Sequence, residues 1–217
     1  MLEVFRTPIQ IMDVDWRRRE IKDVELYISN IHSPHRDYLW SKIFYNKNPV
    51  GMRILEIGCG FGANLLVGAN KHPKNEFCGV DISKASIQVG QKMVSANQIQ
   101  NISLHCMDGN SLPFESKSFD VSFTDALLLY VNPQQINAFI ENLIRITKNE
   151  IIFLEFHSPY SPQNGVRIRD GWIYNMKRLL KTHPEIESFS FEHFPKELRP
   201  KTRWKDFGFL ITVRLRK

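Results

Sequence analysis

The stretch Ile54-Leu55-Glu56-Ile57-Gly58-Cys59-Gly60-Phe61-Gly62-Ala63 decides how the rest of the chain is read. A short, mostly apolar run enters three alternating glycines, and a helical pattern follows. That order fits a buried strand, a sharp turn and the start of a helix. Glycine lets the backbone turn with positive φ and approach a ligand with no Cβ in the way. In an open sheet of parallel strands, ligands sit beyond the carboxyl ends, where such a turn lies. Gly58-x-Gly60-x-x-Ala63 also satisfies the dinucleotide pattern, so the glycines by themselves choose no cofactor.

Outward from this turn the texture is regular. Short apolar runs at 53–57, 76–80, 102–106, 121–124 and 150–156 alternate with amphipathic stretches at 62–72, 84–96 and 133–147. Such alternation predicts an α/β fold, a Rossmann-like doubly wound parallel sheet with helices on both faces. A Pro-rich loop at 158–164, a helix at 170–183 and two last strands at 186–194 and 207–215 are expected after it. Before it, Ile21, Val24, Ile28 and Ile31 fall at helical spacing, and a second helix should follow Ser33-Pro34. The chain thus divides into an N-terminal helical cap (1–50), a cofactor-binding core (51–157) and a C-terminal segment (158–217), within one domain.

The bulk numbers agree. A chain of 217 residues with 42% apolar and 24% charged content has the composition of an ordinary globule. Its three cysteines, Cys59, Cys78 and Cys106, form no Cys-x-x-Cys pair, so neither a metal centre nor a disulfide framework is expected. That usage suits a reducing, cytoplasmic setting. The N-terminal MLEVFRTPIQ holds no apolar signal core, and no run approaches the roughly 20 residues that span a bilayer. The formal charge of +6 is concentrated: residues 195–217 hold eight basic residues and two acids, and residues 1–194 are balanced. A uniformly basic nucleic-acid coat is excluded; a local anion site is not.

Three acids choose among cofactors. Glu56 stands two residues before Gly58, where a carboxylate would repel a pyrophosphate and suit a cationic amino group. Asp81 ends the next strand and can accept both ribose hydroxyls. Asp108 follows the third strand and can accept from an adenine amine.

With these residues the chain resembles the class I S-adenosylmethionine-dependent methyltransferases, in their small-molecule branch. Glu56-x-Gly58-x-Gly60-x-Gly62 is similar to their first motif, Asp81 to the ribose-binding acid and Asp108-Gly109 to the adenine position. Leu112-Pro113-Phe114 and Ser118-Phe119-Asp120-Val121 resemble the run into the fourth strand. The resemblance covers residues 50–156, about half of the chain. It implies a seven-stranded sheet with a reversed last strand beside the fifth. It also implies S-adenosylmethionine as cofactor, S-adenosylhomocysteine as product, and a cofactor set of Glu56, Gly58, Cys59, Gly60, Asp81, Ile82, Asp108, Gly109, Asn110 and Thr124. Arg36, in the N-terminal cap, either pairs with the cofactor carboxylate or is a solvated helix arginine, and Trp16, Tyr38 and Trp40 either wall the pocket or pack in the core.

Methyl transfer from a sulfonium needs in-line positioning and, for a protonated acceptor, a base. His157 after the fifth strand and Asp125 after the fourth are the candidates. Tyr130 and Glu155 are placed to meet substrate. Lys201 and Arg203, in the basic loop at 195–206, would meet an anionic acceptor if the sixth strand runs parallel to the core. The chain lacks the Asn/Asp-Pro-Pro-Tyr turn of amino-methylating DNA enzymes and the Pro-Cys of cytosine C5 enzymes. A polar small-molecule acceptor is therefore expected at oxygen or nitrogen. An RNA or protein acceptor docking through the basic loop, and an NAD-dependent oxidoreductase, are the alternatives.

Overall fold

Ile54, Leu55 and Ile57 are almost entirely excluded from solvent, and they form the central strand of the computed structural model. The structure describes residues 15–28, 31–45, 47, 50–162, 165–169, 171–198 and 203–217. Helices α1 (Ile21–Ile28) and α2 (Pro34–Ile43) precede β1 (Arg53–Ile57), α3 (Ala63–Lys71), β2 (Glu76–Asp81), α4 (Lys84–Ala96) and β3 (Ile102–Cys106). Then come β4 (Phe119–Asp125), α5 (Ile136–Ile146) and β5 (Thr147–Phe156). A hairpin of β6 (Val166–Ile168) and β7 (Gly171–Ile173) is followed by α6 (Met176–Leu180), β8 (Ile186–His193), α7 (Trp204–Phe207) and β9 (Gly208–Leu215).

Seven strands form one sheet in the order β3-β2-β1-β4-β5-β9-β8. The first five are mutually parallel, and β9 runs antiparallel to both β5 and β8. The reversed last strand beside the fifth is therefore present, and β8 runs parallel to the core. The chain winds outward from β1 to β3 and then returns to lay β4 on the other side of β1. At such a switch point neighbouring connections leave to opposite faces, and a crevice opens at the carboxyl edge.

Each face of the sheet is sealed by apolar stripes. Ile136, Phe139, Ile140, Leu143 and Ile144 recur at three- and four-residue spacing on α5 and are buried against one face. On the other face α2 docks through Trp40. Its ring packs edge-on against Phe77 and Phe123, at centroid distances of 5.4 and 5.6 Å. Its Nε1 donates to the Asn64 carbonyl at 2.8 Å. A buried indole N–H with a partner fixes position as well as burying area, so the cap is held in one place over the glycine turn.

Two sequence expectations are corrected. Helix 133–147 begins later, at Ile136, because Asn132 Oδ1 accepts from the N–H groups of Gln134 and Gln135 and holds a turn there. It also ends at Ile146, and Thr147 opens β5. The larger correction concerns helix 170–183. Only Met176–Leu180 is helical, and the preceding residues form the β6–β7 hairpin, paired Val166↔Ile173, Arg167↔Trp172 and Ile168↔Gly171. The alternation Val166-Arg167-Ile168-Arg169 has period two, and Ile168 and Ile173 are buried at 3% exposure each. That burial outweighs the weak helical periodicity downstream.

Candidate active site

The glycine turn is stitched to the neighbouring strand. Gly58, Gly60 and Gly62 all have positive φ, at 74°, 57° and 84°. The N–H groups of Gly58 and Cys59 donate to the Val80 carbonyl at 2.8 and 3.1 Å. Gly60 N–H donates to Asp81 Oδ2 at 2.8 Å, and Ser83 N–H donates to Oδ1 at 2.8 Å. Asp81 thus holds the turn after β1 and the start of α4 together. Burial raises its carboxyl above the ordinary value, and the two N–H donors oppose that. A Cβ on Gly60 would meet nothing within 4 Å, so the turn opens there onto free space.

That space is a cavity of about 740 Å³ along the carboxyl ends of β1 to β4. Gly58, Gly60, Asp81, Ile82, Asp108, Gly109 and Asn110 line it. Asp108 Oδ1 accepts from both the backbone and side-chain nitrogens of Asn110, and Arg17 Nη2 lies 3.1 Å from Oδ2. Trp16, Arg17 and Arg19 from the N-terminal segment complete this end.

Four expected cofactor contacts are not on the wall. Cys59 in the glycine turn and Thr124 in β4 are buried, and burial pushes the Cys59 thiol well up. Arg36 lines a separate groove with Ser33 and Asp37, although its charge is near enough to favour ionisation of Glu56. Glu56 lies directly beneath the turn at 2% exposure. Its Oε1 accepts from Asn64 Nδ2 at 2.7 Å, while Oε2 has no hydrogen-bond partner among the described residues. Burial pushes Glu56 up to about 8; the Asn64 donor opposes that and the nearby Asp125 charge adds to it.

The catalytic candidates are also displaced from the wall. Asp125 Oδ2 lies 3.3 Å from His35 Nε2 and 3.3 Å from Asn64 Nδ2, under the cap. His157 packs against the rings of Phe191 and Phe209, its Nδ1 accepts from the Met176 N–H at 3.2 Å, and burial lowers its pKa. Neither lines the cavity, so the proton-accepting role expected for them is not carried forward. Glu155 is fully buried. Its two oxygens accept from the N–H groups of Leu127 and Leu128 at 2.8 and 3.1 Å. Burial pushes it up to about 8 despite those donors. It does not line the cavity but holds the start of the 3-10 turn Leu128–Tyr130, and that turn sets Tyr130 on the wall. Arg203 precedes α7 away from the cavity, and Lys201 lies outside the described residues.

The structure supplies what the sequence reading missed. Arg167, Arg169, Gly171 and Trp172 of the hairpin line the same cavity as Asp81 and Asp108. The signal was present as Arg169-Asp170-Gly171 between alternating residues, an Asp-Gly hairpin turn. Gly171 has φ 145°, and a Cβ there would stand 2.0 Å from the Leu129 carbonyl oxygen. Gly171→Ala should push the hairpin off the wall at a cost of about 1–3 kcal/mol. A melting temperature lowered by several degrees, with binding of S-adenosylhomocysteine retained, is the expected result; an unchanged melting temperature would contradict this packing.

The wall fits the cofactor implied by the resemblance. It offers acids for a ribose and an adenine, an open glycine turn, and an unpartnered buried carboxylate oxygen beneath it. Among the described residues, no helix is long and apolar enough to cross a membrane.

Residues 54–150 match the family model described as a methyltransferase domain. A tRNA (guanine-N(7)-)-methyltransferase of Aliivibrio salmonicida is 34% identical over 96 residues, covering 43% of this chain and 38% of that protein. An aklanonic acid methyltransferase of a Streptomyces species is 26% identical over 166 residues, covering 73% of this chain and 67% of that one. Among solved structures, a Haemonchus contortus phosphoethanolamine N-methyltransferase superposes with a TM-score of 0.72 at 13% identity, covering 94% of this chain and 61% of that one. That likeness is of fold. The chain spans about half or less of the length of the first curated relatives it matches.

Proposed function

We propose that this chain, whose residues 54–150 match a methyltransferase-domain model, is a class I S-adenosylmethionine-dependent methyltransferase that transfers a methyl group to an oxygen or nitrogen of a polar small molecule. The observation that carries the reading is the placement of Asp81 and Asp108 at successive strand ends on one cavity, beside the open turn at Gly60. When bound, S-adenosylmethionine supplies a methyl group already activated on a sulfonium. Asp81 accepts the ribose hydroxyls, Asp108 and Asn110 take the adenine edge, and Glu56, off the cavity wall but directly beneath the turn, takes the amino group as the ligand seats against its unpartnered Oε2. Trp16 and Tyr130, whose ring centroids lie 5.0 Å apart, offer aromatic faces to a cationic centre. The protein's main contribution is to hold donor and acceptor in line, an effect of about 7–11 kcal/mol in well-oriented systems.

The RNA reading is supported by the tRNA-methylating relative, and the small-molecule reading by the aklanonic acid one. The described residues of the basic loop, 195–198 and 203–206, do not line the cavity, which favours the small molecule. A thermal-shift series separates the classes. Stabilisation by S-adenosylhomocysteine and none by NAD is expected, because a ligand that binds only the folded state raises its melting temperature. The reverse pattern would make the chain an oxidoreductase. Tight, salt-dependent tRNA binding would move the acceptor to RNA.

A further inference from the structure

We infer that the β6–β7 hairpin is the acceptor-recognition element, and that it takes an acceptor bearing a phosphate or carboxylate on a planar ring. This rests on the reading of the cavity as a methyl-transfer site. Period-two alternation sends Ile168 and Ile173 into the core, at 3% exposure each. The other face of the hairpin carries Arg167 directly opposite Trp172, with the guanidinium 5.7 Å from the indole centroid. Arg169 follows two residues on from Arg167, and all three side chains line the cavity.

The charges on the wall are mixed at one end, where Asp15, Arg17 and Arg19 of the N-terminal segment join the acids of the strand ends, and basic among the described residues of the hairpin. The acids Asp81 and Asp108 stand at the ends of β2 and β3, and Arg17 pairs with Asp108. Across the sheet, beyond β4, the hairpin adds two arginines. The cofactor of this reading is cationic at its sulfonium and amino group, so the guanidiniums repel that part of it. An anion between them has the opposite effect: it draws the acceptor toward the donor end. Arginine's fixed fork of donors suits phosphate and carboxylate oxygens, and Arg167 and Arg169 stand two residues apart on the cavity lining.

The planar requirement comes from the indole. Trp172 lies beside the arginines, and Trp16 and Tyr130 meet edge to face at 5.0 Å on the same cavity wall. Such rings bury a flat apolar body between them, and the guanidiniums hold its charged end. The hairpin is also fixed against the wall it serves. Tyr174, the residue after β7, donates from its hydroxyl to the Val131 carbonyl at 2.5 Å, and Gly171 lies against the Leu129 backbone. A receptor built on a pinned strand pair holds its ligand more narrowly than one on a free loop. In this inference Arg167 and Arg169 meet the acceptor's charge.

The test uses the full chain saturated with S-adenosylhomocysteine and titrated with phenyl phosphate, benzoate, inorganic phosphate and benzyl alcohol. Phenyl phosphate or benzoate should bind at least about tenfold more tightly than both inorganic phosphate, which lacks the ring, and benzyl alcohol, which lacks the charge. The stronger of the first two says whether phosphate or carboxylate is preferred. Arg167→Ala with Arg169→Ala should weaken the anionic ligands about tenfold or more and leave S-adenosylhomocysteine affinity within about twofold. Arg167→Lys with Arg169→Lys keeps the charge and should recover part of the loss; it also serves if the alanine pair fails to fold. Equal affinity for the charged and uncharged rings, or anion binding indifferent to either double variant, overturns the inference. So does a tRNA that binds through these arginines while the small anions do not. Failure of S-adenosylhomocysteine to bind in the first place refutes the cofactor reading and is seen separately.

Discussion

Asp81→Ala should abolish measurable binding of S-adenosylhomocysteine at concentrations that saturate the parent protein. Two losses coincide. The carboxylate is the proposed acceptor for two ribose hydroxyls, and hydrogen bonds to a charged group contribute about 1.5–3 kcal/mol each, so affinity falls about a hundredfold or more. The same oxygens accept from Gly60 and Ser83, and truncation leaves those two N–H groups without their acceptor. The glycine turn should then relax away from β2, with a destabilisation of about 1–3 kcal/mol for each orphaned donor that stays buried. Asp81→Asn separates the effects. An amide keeps one acceptor oxygen and turns a donor toward the other N–H, so it should recover part of the stability and little of the affinity. Calorimetric titration beside denaturant unfolding reads both. An Asp81→Ala protein that binds S-adenosylhomocysteine with parental affinity would remove Asp81 from the site.

The second large effect concerns protons. Glu56 is raised from its ordinary 4.5 to about 8, with burial the first cause. At pH 7 such a group is about nine-tenths protonated. An ammonium seated against its unpartnered Oε2 favours the carboxylate and should drive that proton off. Cofactor binding at pH 7 is therefore expected to release close to one proton. Titrations in two buffers of different ionisation enthalpy measure this, and Glu56→Gln should show none. Release that persists undiminished in Glu56→Gln would assign the proton elsewhere.

The same shift has a consequence for stability. The unfolded chain gives up this proton near pH 4.5 and the folded chain near 8. The contribution of Glu56 is therefore complete below about pH 4.5 and is lost as pH rises through about 8, with a slope of up to about 1.4 kcal/mol per pH unit. Glu155, raised to about 8 by the same burial, acts in the same direction. Unfolding midpoints should fall between pH 5 and 8, and Glu56→Gln should flatten that fall.

The position of Glu56 also shows where sequence reading loses its grip. The residue pattern located the acid two places before Gly58. It did not reveal that the side chain faces Asn64 under the turn, because a strand-end carboxylate has two sides to choose from and the packing of α3 decides between them. His157 illustrates the same limit. Its position after β5 marked it as facing the crevice, yet the Met176 N–H at the start of α6 and the rings of β8 and β9 claim the imidazole. Those partners lie far along the chain, and nothing local to residues 154–158 announces them. Glu155 was read as a substrate contact for want of knowing that the turn at Leu127 folds back over it.

Local pattern was sufficient where burial repeats along one element. The alternation of strands and helices, the glycine turn and the acids at the ends of β2 and β3 were legible from periodicity and the backbone freedom of glycine, and the reversed last strand was implied by the resemblance of those motifs. The hairpin at 166–173 was legible in principle and was passed over: its strands are three residues each, too short for a periodic signal to dominate. What the sequence by itself determined is the parallel core, its switch point and the acids at the strand ends that line the cavity. Only the tertiary structure decided which side chains reach the cavity from the acceptor side. Tyr130, Arg167, Arg169 and Trp172 are brought together by the turn held on Glu155 and by a hairpin pressed onto Leu129. Such convergence depends on contacts between distant segments, which no local spacing encodes.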